Sequence, residues 1–190
     1  MKEKINLEDL SSKNPKIKYS CIKNLLVVAE NNPSSLYPQL DYFVELLGSE
    51  NQILKWSAIE IIGYLSRVDE EKKVDKLIGK FFGFLNSGEL ITANHAILAL
   101  SNIVIAKPRY QDKITDELMK VEHYKYDTDE CRNIAIGKVI LALQSYIGDL
   151  AEKKEIIKFA KRQTKNTRPA TRKKAEQLLK KLNRTSENKH

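Results

Sequence analysis

Cysteine is nearly missing from this 190-residue chain: Cys21 and Cys131 stand far apart, each inside a helical pattern. Two such thiols make no disulfide framework, and both are expected reduced. Glycine is scarce, with seven residues, and no glycine-rich phosphate loop or nucleophile elbow is written anywhere. Catalysis therefore has almost nothing to work with, and no enzyme activity, cofactor or metal is expected. Long apolar runs are missing too, since IEIIGYL falls far short of the roughly 18 residues that a spanning helix needs. The opening MKEKINLEDLSSK mixes acids with lysines and has no apolar stretch of the secretory kind. The expectation is a soluble, cytoplasmic protein without membrane contact.

What is present is repetition. KYSCIKNLLVVA from Lys18, KWSAIEIIGYLS from Lys55, ANHAILALSNIV from Ala93 and RNIAIGKVILAL from Arg132 fall into one register, followed by the more polar RKKAEQLLKKL from Arg172. Their small anchors, Cys21, Ala58, Ala96, Ala135 and Ala175, are spaced 37, 38, 39 and 40 residues apart. Four residues after each anchor comes Leu25, Ile62, Leu100, Val139 or Leu179; seven after it comes Val28, Leu65, Ile103, Ala142 or Leu182. That spacing puts the side chains on one face of an α-helix. The small anchors, with Gly63 and Gly137, predict close helix–helix approach.

A second set alternates with the first: Leu36, Leu40, Phe43 and Leu47; Val74, Leu77, Phe81 and Leu85; Ile114, Leu118 and Val121; Ile156, Ile157 and Ala160. Each repeat is thus a pair of helices, and neither helix can bury its apolar stripe without the next repeat. Asn14 before Pro15 has N-cap chemistry, and Ser49 with Gln52 and Asp127 with Glu130 have capping-box spacing. No alternation of period two persists long enough for a strand.

The turn, basic residue and small anchor in SENQILKWSAIEIIGYL resemble the first helix of a HEAT repeat of the armadillo-like superfamily. The basic residue recurs as Lys18, Lys55, Arg132 and Arg172 and is replaced by Ala93 in the third copy. That third repeat is the most deviant, and its second helix ends in the unusual loop VEHYKYDTDE. The resemblance spans residues 14 to about 183. It implies an all-α, right-handed α-α superhelix of about four and a half helix pairs, forming one domain over 1–183 with a flexible tail at 184–190 and a short leading helix near residues 6–11. It also implies that second helices line a concave surface where partners lie. The family holds transport receptors, phosphatase scaffolds, chromosome-organising subunits, bilin lyase relatives and DNA glycosylases, so it constrains fold more than function.

Charge then selects candidate surfaces. Residues 1–149 hold 19 Lys or Arg against 21 Asp or Glu, whereas residues 150–190 hold 14 against 4. On the second helices Lys73, Lys76, Lys80, Lys113, Lys120, Lys154 and Lys158 form a row that suits a protein or peptide partner, or merely solvates the face. Trp56, beside Lys55, is a candidate contact anchor. Tyr19, Tyr64, Phe81, Phe82 and Phe84 extend that aromatic set, with Phe81 assigned to the core.

The basic end offers Lys161, Arg162, Arg168, Arg172, Lys173 and Lys174 to phosphates, which makes nucleic acid the alternative partner. Phe159 is the one aromatic ring between 151 and 190, so base stacking has little support there. A polar outer face on a terminal repeat explains the same lysines without a ligand. The remotest alternative is a HEAT-like glycosylase, for which Asp41, Asp75 or Asp116 would be the acid. His123, Asp127, Asp129 and Cys131 mix metal-type ligands but lack the paired spacing of a zinc site, and helix capping accounts for the acids.

Overall fold

The computed structural model describes residues 7–149 and 153–187, and the described residues contain helices and turns without a strand. The chain first makes a 3-10 turn at Glu8–Ser11, where a leading helix was expected. Helix α1 spans Pro15–Asn31, and its Asn14 cap accepts the N–H of Lys16 while Pro15 occupies the first turn. After α2 (Pro33–Leu36) and a 3-10 turn, α3 runs Leu40–Leu46. Helix α4 follows at Gln52–Leu65 and α5 at Ile78–Leu85. The chain continues through α6 (Leu90–Ala106), α7 (Gln111–Met119) and α8 (Asp129–Tyr146). It ends with α9 (Lys154–Gln163) and α10 (Pro169–Glu187).

Two expected caps are shifted by a residue or two. Asn51, not Ser49, caps α4 by accepting from Ile53 and Leu54, and the Ser49 hydroxyl instead accepts the N–H of Asn51. Thr128, not Asp127, caps α8 through the N–H of Cys131. In both turns the residue immediately before the helix is the one whose side-chain oxygen reaches the free N–H groups. Helix α10 continues through Glu187, past the Arg184 at which a flexible tail was expected; residues 188–190 lie outside the described part.

The helices that carry the anchors pack side by side in chain order: α1 on α4, α4 on α6, α6 on α8 and α8 on α10. The other set packs on them, α3 against α4, α5 against α6, α7 between α6 and α8, and α9 against α10. All five anchors are buried, and one apolar cluster runs from Leu10 to Leu182. In the last repeat Leu178 enters the core and Leu179 is only half-buried, so α10 is turned slightly from the expected register. Val28 is likewise half-buried.

Two helices approach closely at Gly63, where a Cβ would lie 2.6 Å from the Ala99 Cα of the next anchor helix. Gly137 plays the same part further on, since a Cβ there would lie 2.9 Å from Thr171 Oγ1. The buried Thr171 hydroxyl in turn donates to the Asn133 carbonyl at 2.8 Å, holding α10 against α8. No helix of the described residues is long and apolar enough to cross a membrane.

Candidate functional site

Three charged regions are candidates, and their geometry separates them. The first lies where the turns after α4 and α6 meet. Lys107, just past the end of α6, buries its ammonium 2.6 Å from Asp69 Oδ2 and 2.6 Å from Asp75 Oδ1. It also donates to the Asp69 carbonyl at 3.2 Å. Asp69 further accepts from Tyr37 Oη at 2.7 Å and from the N–H groups of Lys73 and Val74, both at 2.9 Å. Asp75 accepts from Arg109 at 2.6 Å and Tyr110 Oη at 2.9 Å. Lys72, at φ 59°, takes the left-handed backbone conformation that lets this turn wrap around Asp69.

Burial by itself would raise the Asp69 carboxyl, but hydrogen bonds from Lys107, Tyr37 and Val74 outweigh it and hold the group below its ordinary range. Asp75 behaves alike: burial opposes ionisation, and Lys107, Arg109 and Tyr110 overcome it. Burial, then the Asp69 bond, pushes the Tyr37 phenol up. A cleft of about 480 Å³ opens beside the network, lined among others by Tyr37, Arg67, Lys72 and Arg109. Arg67 is committed to the carbonyls of Ala29 and Glu30 at the end of α1. These charges are consumed by one another, so the network clamps three successive turns together and leaves Asp75 no free oxygen for a reacting group.

The second region is the lysine row. Lys73 pairs with Asp41 of the preceding repeat at 3.2 Å and with Glu71 at 3.4 Å. Lys113 places its ammonium 5.8 Å from the centre of the Phe82 ring, which joins α7 to α5. Lys120 and Lys158 pair within their own turns with Glu117 and Glu155 at 2.7 Å. Lys76, Lys80 and Lys154 are exposed, and no acid among the described residues pairs with them. The row therefore divides into cations that join repeats, cations paired within their own turn and cations left to solvent.

The third region is the basic end, where the arginines turn out to be structural. Arg162 makes two hydrogen bonds to Glu122, at 3.2 and 2.6 Å, and Gln163 adds a third at 2.8 Å. Arg168 pairs with Glu130 at 2.7 Å. Arg172 donates to the carbonyls of Asn166 and Thr167 in the turn before α10. Lys161 and Lys173 are exposed, while Lys174 is half-buried against α8. Burial, then the charges of Lys138 and Arg168, holds the Lys174 ammonium below the usual lysine range.

Trp56 is not an exposed anchor. Its indole N–H donates to Thr92 Oγ1 at 2.9 Å and its ring stacks on His95 at 6.0 Å, so it joins α4 to α6. Phe81 is in the core, and Tyr19 is exposed. The unusual loop after α7 is tied back by its tyrosines: Tyr124 donates to Glu117, and Tyr126 donates to the Leu85 carbonyl at 2.8 Å. Burial pushes the Tyr126 phenol up to about 12. Asp41 faces Lys73, and Asp116 is exposed. Among the described residues no three His, Cys, Asp or Glu side chains gather as metal ligands, and His123 lies 3.5 Å from Glu122.

Asp69 and Lys107 were not singled out by sequence reasoning, although a signal existed. Both stand 11 residues after their anchors, Ala58 and Ala96, and therefore occupy one register position in successive repeats with opposite charge.

No family model matches the chain, and no curated protein matches it. A solved structure does: an engineered protein, crystallised as a Northeast Structural Genomics Consortium target, is similar at a TM-score of 0.53 and 15% identity. The match covers 94% of this chain and 78% of that one. The likeness is one of fold alone. It agrees with the all-helical architecture and says nothing of activity.

Proposed function

We propose that this chain is a non-catalytic, HEAT-like scaffold, a right-handed α-α superhelix whose second-helix face holds an acidic segment of a protein or peptide. The observation that carries the reading is the division of the lysine row. Lys73 and Lys113 bridge consecutive repeats along one side, which makes that side continuous, and Lys76, Lys80 and Lys154 add charge there that the fold does not use. Extended repeat surfaces suit such binding because many small contacts add without any reactive group. Lys158 remains available at the rim, since its exposed pair with Glu155 exchanges readily for a partner's carboxylate, and Lys120 is itself exposed although Glu117 is largely buried. Trp56 supports the reading only indirectly, by fixing the spacing between α4 and α6.

A nucleic-acid partner is the less favoured reading because Arg162, Arg168 and Arg172, the residues best suited to grip phosphate, are already bonded within the chain. The test sets the two against each other. Affinity capture from the source cells is expected to recover a stoichiometric acidic partner that is lost with the K76E/K80E/K154E variant. It is expected to survive the K161Q/K173Q variant. A duplex DNA or RNA shift at low salt, abolished by K161Q/K173Q, would replace the scaffold reading with the nucleic-acid one.

A further inference from the structure

The anchor-helix side carries an apolar row that the core does not use. Ile91, Leu98 and Ile105 recur every seven residues on α6 and are 49%, 38% and 51% exposed. On the neighbouring helix α8, Leu141 is 41% exposed. Between these helices lies a cleft of about 460 Å³ whose lining includes Ile91, Leu98 and Leu141 together with Glu60, His95 and Lys138. The row continues to Ile105, beyond that lining, so its length is about 21 Å, the rise of four helical turns. A small apolar ligand filling the cleft would leave Ile105 in water.

Charge distinguishes the two walls. On the α4 side Glu60 already has a neighbour, since its carboxylate lies 3.1 Å from His95 Nδ1. On the α8 side Lys138 is exposed, and no acid among the described residues pairs with it. Lys174 of α10 rests on the same helix: a Cβ at Gly137 would lie 3.4 Å from its Nζ. Burial, and then the charges of Lys138 and Arg168, hold its ammonium below the usual lysine range. A long apolar row edged by the exposed Lys138 ammonium matches an amphipathic helix with acids along one flank.

We propose that the groove between α6 and α8 docks an amphipathic helix of a partner protein, with aliphatic side chains on the Ile91–Leu98–Ile105 row and carboxylates toward Lys138. None of these residues belongs to the second-helix face, so either surface can fail without the other.

The single tryptophan makes the test direct, because Trp56 stacks on His95 and His95 lines the cleft. The full chain is titrated with a synthetic helix of about 18 residues, roughly 27 Å long, bearing leucines on one face and glutamates on its flank, and Trp56 fluorescence is followed. Saturable binding is expected, about tenfold weaker when lysines replace the glutamates. Leu98→Asp, at an exposed position, is expected to weaken it by about tenfold or more. Lys138→Glu, which does not disturb the apolar row, is expected to reverse the preference between the two peptides. Equal affinity for both peptides, or indifference to Leu98→Asp, overturns the proposal. Tighter uptake of dodecanoate than of either peptide would make the site a small-molecule one, and a dimer dissolved by Leu98→Asp would make the occupant a second copy; both also overturn it.

Discussion

The turns around Lys107 and the last helix around Arg172 are both crowded with charge, yet they use it in opposite ways. In the first, the Lys107 side chain is 6% exposed, and two carboxylates close on its ammonium from the preceding repeat. In the second, arginines reach back to Glu122, Glu130 and turn carbonyls while Lys161 and Lys173 stand in solvent. The difference lies in where the acids are. The middle repeats supply Asp69 and Asp75 at buried turn positions, whereas residues 150–190 have only four acids among fourteen bases. The comparison teaches that Lys107 is buried because the repeat before it supplies two carboxylates, whereas the lysines of the end have no such acids to meet.

The sharpest way to break this contrast is Lys107→Met. It leaves Asp69 buried without its cation and is expected to cost about 3–5 kcal/mol in urea unfolding, with part recovered when Asp69→Asn is added. Lys173→Met, in the exposed end, is expected to change stability by about 0.5 kcal/mol or less in the same assay.

Acid sharpens the comparison next. Asp69 and Asp75 have folded proton affinities below their unfolded ones, so the unfolded chain binds more protons as acid is added. Their contribution is whole above the ordinary aspartate range of about 3.9 and is lost as the pH falls through the lowered folded values. Wild-type stability measured by chemical unfolding between about pH 5 and pH 2 is expected to fall more steeply than that of Asp69→Asn. Parallel curves would show that the clamp contributes nothing.

A smaller effect concerns the core rather than charge. Gly63→Ala forces a methyl into the Ala99 backbone and is expected to destabilise by about 1–3 kcal/mol. Gly79→Ala, where no atom lies within 4 Å of the added carbon, is expected to stabilise α5 by up to about 1 kcal/mol. Thermal melts of the two variants should move in opposite directions.

Smaller again is the cost of Trp56→Phe, which removes the bond to Thr92 but keeps a ring against His95; about 1 kcal/mol is expected. An unchanged melt would show that the stack, not the bond, joins α4 to α6.

The alternation of helices and the burial of Cys21, Ala58, Ala96, Ala135 and Ala175 were determined by sequence, because apolar burial repeats with the period of the helix and leaves a countable trace. Even the meeting of Asp69 with Lys107 could have been read there, from their shared distance after the anchors. The bond from Trp56 to Thr92 and the capture of Arg162 by Glu122 were decided by tertiary structure alone. A charge in a sequence looks the same whether it will meet an acid or water. Which it meets depends on side-chain reach across a turn, and that reach exists only once the neighbouring repeat is in place.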